Sequence, residues 1–207
     1  MLKIWGRLSS INVQKVVWTV QELALPFTRT DVGGKFGQLD TPEYGRLNPN
    51  RKIPTIDDEG FILWESQAIM RYLAAKHGEG SLWPTDVQQR ADADRWMDWV
   101  GNEVQPATLP AFWGLIRTAE DKRDMKAIED SIDKSNALML MLNDALAGRD
   151  FITGSTFTMG DIATGCAAHR WFGMPIADRP ETPALSAWYR RIRMRPATQD
   201  VLTFPLT

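Results

Sequence analysis

Cysteine and histidine are almost absent: Cys166 is the single thiol, and His77 and His169 are the two imidazoles in a chain of 207 residues. One thiol excludes an intramolecular disulfide, a CxxC redox pair and a thiolate zinc cluster. Two histidines far apart, in no HExxH or similar spacing, leave no basis for metal catalysis, so no metal is expected. Any thiol chemistry must therefore use a sulfur that arrives with a ligand. An apolar run of the ~20 residues that span a bilayer is also lacking, and Met1-Leu2-Lys3-Ile4-Trp5-Gly6-Arg7 meets charge at once. Neither a signal peptide nor a membrane partner is expected, and a cytoplasmic location follows. The formal net charge is −2, with no basic half, which argues against nucleic acid as a partner.

What is present is an ordinary globular composition, 43% hydrophobic and 24% charged, in a chain long enough for two small domains. Leu2 to Trp5 and Thr28 to Val32 read as strands. Between them Val13 to Leu25 carries Val16, Val17, Val20 and Leu23 at helical spacing, so a βαβ unit is predicted. A connection rich in Gly and Pro follows, through Gly33-Gly34-Lys35, Thr41-Pro42 and Asn48-Pro49-Asn50, and reads as a long functional loop. Ile53-Pro54-Thr55-Ile56 and Phe61-Ile62-Leu63-Trp64 flank Asp57-Asp58-Glu59-Gly60 as a hairpin, and Ser66 opens a helix with Ile69, Tyr72 and Leu73 on one face.

Gly78 to Thr85 interrupts the periodicity and reads as a linker. Beyond it the apolar stripes are all helical: Trp96, Trp99 and Val100; Ile128, Ile132, Met139, Leu142 and Leu146; Ile162, Ala163, Cys166 and Ala167; Leu185, Trp188, Tyr189 and Ile192. Pro106 and Pro110 are expected to bend or break the first of these helices.

Two stretches narrow the function. Asn48-Pro49-Asn50-Arg51-Lys52-Ile53-Pro54-Thr55-Ile56 and Leu63-Trp64-Glu65-Ser66-Gln67-Ala68-Ile69-Met70-Arg71-Tyr72-Leu73 closely resemble the glutathione-binding region of cytosolic-type glutathione transferases. The resemblance extends to Arg7-Leu8-Ser9-Ser10-Ile11-Asn12-Val13-Gln14-Lys15-Val16 and to Thr158-Met159-Gly160-Asp161-Ile162. It is nearest to bacterial members and to the theta-, phi- and nu-like classes, in which serine, threonine or asparagine replaces a catalytic tyrosine. It implies an α/β thioredoxin-like domain over residues 1–77 and an all-α helical bundle over residues 86–207, joined by the linker at 78–85 and working as a homodimer.

The resemblance also implies roles. Pro54 would be cis, although an unassisted X-Pro bond is cis only ~5–6% of the time. Ile53 would then pair with the cysteinyl backbone of glutathione as an added strand does. Ser66 and the helix it opens would take the γ-glutamyl carboxylate, with N-capping as a second role, and Glu65 would face the α-ammonium. Lys52 would approach the glycyl carboxylate. Thiol activation falls to Ser10, with Asn12 close behind and Ser9 as the alternative register; helix capping alone would explain one of the three. Phe112, Trp113 and Arg117 are candidates for a hydrophobic substrate pocket, against the commoner reading of such aromatics as core. Thr158 and Asp161 resemble a capping box that serves folding.

The expected activity is conjugation of the glutathione thiolate to a hydrophobic electrophile, a detoxification reaction. Glutathione-dependent peroxide or disulfide reduction, as in nu-like members, is the alternative that Asn12 supports. A non-catalytic binding module is a third reading, disfavoured because such a module needs no intact Lys52, Ile53-Pro54 and Glu65-Ser66.

Overall fold

A computed structural model describes residues 1–207. Strand β1 (Leu2–Trp5), helix α1 (Ile11–Glu22) and β2 (Phe27–Thr30) form the βαβ unit, with β1 and β2 parallel. Helix α2 (Pro42–Leu47) precedes the hairpin of β3 (Thr55–Asp58) and β4 (Phe61–Trp64), and α3 (Ser66–His77) closes this half. The sheet order is β2-β1-β3-β4, with β3 antiparallel to both neighbours. This is the expected thioredoxin-like arrangement. The Ile53–Pro54 peptide is cis, as the resemblance implies.

The connection between β2 and β3 is more ordered than its composition suggests. Thr41 Oγ1 accepts from the Tyr44 N–H at 3.2 Å, and Pro42 occupies the first turn, so a helix starts where a featureless loop was expected. Tyr44 is buried; its hydroxyl donates to the Lys52 carbonyl at 2.7 Å, and Asn48 Nδ2 donates to the same oxygen at 2.9 Å. These bonds fold the Asn48–Lys52 run against the start of β3.

The second half is helical: α4 (Val87–Trp99), α5 (Gln105–Phe112), α6 (Met125–Ala145), α7 (Met159–Gly173) and α8 (Pro183–Arg193). Pro106 and Pro110 do not break the first long helix. It continues from α4 into α5 through a π-helical segment at Val100–Val104, and a second π segment, Trp113–Arg117, follows α5. A wider turn absorbs the lost proline N–H donors, so the register shifts while the helix continues. No helix is long and apolar enough to cross a membrane.

Helix α7 is buried on nearly all sides, and α1 packs on it from the first half, so the two cores merge into one. The capping box at its start is present, and its acid does more than cap. The fully buried Asp161 carboxylate accepts from the backbone N–H groups of Ile152 (2.8 Å) and Thr158 (2.9 Å) and from Trp188 Nε1 (2.9 Å). Burial pushes its pKa up to about 6, partly opposed by those bonds.

Asp161→Ala should therefore cost about 3 kcal/mol or more, because each buried donor left without a partner costs ~1–3 kcal/mol. Asp161→Asn, which keeps one carbonyl acceptor and mimics the neutral form that burial favours, should cost less. Urea denaturation of the two variants at pH 7 checks this; equal midpoints for Ala and Asn would show that the donors find water instead.

Candidate functional site

Helix α1 starts just beyond the end of β1, with Ser10 and Asn12 half-buried and Ile11 and Val13 buried. Gln14 is the first helical N–H to reach a carbonyl, that of Ser10 at 2.9 Å, so the N–H groups of the preceding turn have no backbone acceptor. Ser10 is the N-cap residue, yet its side chain caps nothing and its hydroxyl has no protein partner. Ser9 Oγ, by contrast, accepts from Arg7 Nη1 at 2.6 Å.

Asn12 joins three elements. Its Oδ1 accepts from Lys15 Nζ at 3.3 Å, Ser66 Oγ at 3.4 Å and Gln105 Nε2 at 3.2 Å, which leaves Nδ2 free to donate. Ser66 is therefore not the N-cap of α3, as the sequence suggested. Glu65 holds that position at φ 71°, and Ser66 is the first helical residue, its hydroxyl turned to Asn12. A left-handed glutamate is a strained choice for a non-glycine residue, of the kind concentrated at functional sites. Its exposed carboxylate makes no ion pair. Asn12, Glu65, Ser66 and Gln105 share the wall of a cavity of about 350 Å³ with Gln67, Arg71 and the π segment. Gly101 allows that approach, since a Cβ there would lie 2.6 Å from Gln67 Nε2.

The backbone N–H and C=O of Ile53 enter none of the loop hydrogen bonds and lie outside any strand. The Lys52 carbonyl is held by Tyr44 and Asn48 while its exposed ammonium makes no ion pair.

A second cavity, about 590 Å³, is lined by Ser9, Trp113 and Arg117 among others. Phe112, expected with them, is 1% exposed and belongs to the core, where Arg170 stacks on its ring at 4.1 Å. Ser10 is on the wall of neither cavity, whereas Ser9 and Asn12 are. No three side chains of the metal-binding types cluster anywhere.

Three contributors escaped the sequence reading. Gln105 arrives from the other half of the chain and carries no local signal. Arg7 was read only as part of a motif. Lys15 carried a signal, a lysine among Val13, Val16, Val17 and Val20, yet it is completely buried. Burial lowers its pKa to about 8; Arg170 adds to the fall, and Cys166 and Glu65 oppose it. The Cys166 thiol beside it is pushed up to about 12 by burial, and so stays protonated.

Residues 9–76 match the family model for the glutathione S-transferase N-terminal domain, and residues 126–191 the one for the C-terminal domain. Glutathione S-transferase GstB of Escherichia coli strain K12 is 36% identical over the full length of both chains. The chain belongs to the glutathione S-transferase family. The theta-class glutathione S-transferase of Xanthomonas axonopodis pv. citri, solved with glutathione bound, superposes with a TM-score of 0.95 at 44% identity, covering 100% of this chain and 99% of that one. The disulfide-bond oxidoreductase YfcG of E. coli strain K12 is 31% identical, covering 92% of this chain and 90% of its own. The two cavities lie on either side of the start of α1, with Ser9 on the wall of one and Asn12 on the wall of the other.

Lys15 gives this site a measurable pH signature. Its folded pKa of about 8 lies below the ordinary lysine value of 10.5, so the folded protein gives up the proton before the unfolded chain does. The cost of burying the charge is full below pH 8 and is relieved as pH rises towards 10.5, by about 3 kcal/mol. Lys15→Met removes that cost at every pH. The stability of the variant relative to the parent should therefore be greatest at pH 7 and shrink across pH 8 to 10.5, as thermal denaturation over that range would record.

Proposed function

We propose that the protein binds glutathione at the start of α1 and transfers its thiolate to a hydrophobic electrophile held in the larger cavity. The observation that carries this reading is the gathering of unsatisfied groups around one place: the N–H groups of α1 with the free Ser10 hydroxyl, the unpaired backbone of Ile53, and the Glu65–Ser66 entry to α3. Each matches a part of the tripeptide. Ile53 offers one donor and one acceptor to the cysteinyl backbone, as a sheet edge does. The first turn of α3 suits the γ-glutamyl carboxylate, and Glu65 suits its ammonium. Lys52 would serve as a point charge for the glycyl carboxylate.

The chemical problem is protonation. A free thiol has a pKa of about 8.5, so only a few per cent is thiolate at pH 7. A hydroxyl bond from Ser10, the N–H groups of α1 and Asn12 Nδ2 all favour the anion. A shift of one to two units needs about 1.4–2.7 kcal/mol, which two modest contacts supply.

Glutathione-dependent disulfide or peroxide reduction is the second reading, supported by the Asn12 junction and by the similarity to the E. coli oxidoreductase. Glutathione would supply every reactive sulfur, since Cys166 is buried. Detoxification in the cytoplasm is the setting we propose for a protein whose one cysteine is an unpaired thiol. A homodimer is the proposed assembly, supported by Phe61 and Trp64, which are exposed on the edge strand β4.

Calorimetric titration with glutathione, followed by parallel assays with an aryl halide, an organic peroxide and hydroxyethyl disulfide, tests these readings. Turnover of the halide supports transfer; turnover confined to the other two transfers the assignment to the reductase. Glu65→Gln should weaken glutathione binding roughly tenfold to hundredfold, the loss of a charge-assisted contact of ~1.5–3 kcal/mol. Unchanged affinity in a folded variant would place the ligand elsewhere. Ser10→Ala should leave affinity nearly intact, reduce turnover at pH 7 about tenfold, and move the pH–rate curve up by about one unit. If Ser9→Ala or Asn12→Ala produces that shift instead, the activating role passes to that residue.

A further inference from the structure

The polarity of the Asn12 amide is dictated by Lys15. An ammonium group carries three donors and no acceptor, so the Asn12 atom that faces Lys15 Nζ at 3.3 Å must be the amide oxygen. The same oxygen faces Ser66 Oγ at 3.4 Å and Gln105 Nε2 at 3.2 Å, so the serine hydroxyl donates and the glutamine presents its nitrogen. Three donors converge on an atom with two lone pairs, which is then saturated. What Asn12 has left to offer is Nδ2, whose N–H groups make no hydrogen bond within the chain.

A lysine is an unfavourable choice for this position on packing grounds. It is completely buried among Val13, Val16, Val17 and Val20 on a helix that packs against α3 and α7. Asn12 Oδ1 is its one side-chain acceptor within the chain, which leaves two of its three N–H groups without a protein partner. The ionisable groups around it are Cys166 and Arg170 of α7 and Glu65 at the start of α3; the thiol is protonated, the guanidinium repels the ammonium and Glu65 favours it. Burial lowers its pKa to about 8, which still leaves it mostly charged at pH 7. A methionine would fill the same space with no charge to desolvate, so core packing does not account for the residue.

We propose that Lys15 is a positioning residue for the thiolate of bound glutathione: by holding Asn12 Oδ1 from within the core, it turns Nδ2 towards the sulfur and polarises the amide. The inference rests on the transferase reading and adds to it a residue that touches neither substrate. The step it assists is ionisation of the thiol. The S–H bond breaks, the electron pair stays on sulfur, the proton passes to solvent, and Nδ2 donates to the anion that remains. A donor to the charged form lowers the thiol pKa, whereas a flipped amide would present lone pairs to the sulfur and oppose the charge. Gln105 supports the same orientation from the helical half, so the activating amide is set only when both halves are docked.

Lys15→Met tests this, because the variant is expected to be the more stable protein at pH 7 and a loss of turnover then has no origin in unfolding; Lys15→Leu should reproduce each effect. Ultraviolet difference absorbance of the thiolate, followed from about pH 6 to 10 in the glutathione complex, should show the bound thiol pKa raised by about one unit in Lys15→Met. Turnover of the aryl halide should fall about tenfold at pH 7 with the KM of glutathione little changed, and the deficit should shrink above about pH 9, where glutathione ionises unaided. Lys15→Met combined with Asn12→Ala should lose no more than Asn12→Ala alone. A thiol pKa that is lowered in the parent and unmoved in Lys15→Met overturns the role of Lys15 and leaves the transferase reading standing. Additive losses in the double variant overturn it as well, since Lys15 would then act without Asn12. A parent complex whose thiol keeps the free value of about 8.5 overturns this inference together with the thiol activation beneath it.

Discussion

Everything in this structure depends on one helix being buried from two sides. Nine of the twelve residues of α1 are buried, with α3 on one flank and α7 on the other. Each fully buried Val or Trp there contributes on the order of 1.5–3 kcal/mol. The contact is also pinned by geometry. Trp18 packs against Phe157 at 5.9 Å, and its Nε1 donates to Glu22 at 2.8 Å. Arg195 grips both Glu22 oxygens at 2.7 Å while stacking on Phe157 at 3.9 Å. The paired guanidinium–carboxylate fork adds direction to what apolar burial supplies in amount. Because α1 is held on both flanks, its half-buried Ser10 and Asn12 are fixed relative to both halves.

The same burial sets the electrostatics. Lys15 and Arg170 face one another's charge across the α1–α7 contact with no buried carboxylate between them; the lone thiol there is kept protonated. Arg7 and Arg117 extend that positive region to the surface of the larger cavity. The open end of the sheet therefore lies in a field that favours negative charge, to which helix N-termini add.

The fold was largely legible because its elements announce themselves locally. Alternating strands, the Val16–Val20 stripe and the Asp57–Gly60 turn all sit within a few residues of their partners. Where the reading went astray, local grammar misled. Thr41-Pro42 was taken for loop punctuation although a capping threonine and a first-turn proline also begin a helix. Pro106 and Pro110 were expected to bend or break the helix, and the π segments that carry it past them leave no composition of their own.

By itself the sequence determined the chemistry on offer: a single thiol, no metal-ligand spacing, and the Asn48–Ile56 and Leu63–Leu73 stretches that carry the family resemblance. Those are properties of short segments, written in adjacent residues. The tertiary structure alone decided which groups meet. Ser66 turned from helix cap to partner of Asn12, Gln105 joined them from 93 positions away, and Phe112 withdrew into the core. Side chains brought together by long-range packing leave no trace in local periodicity, because whether a polar group is capped, orphaned or paired depends on what the rest of the chain places against it.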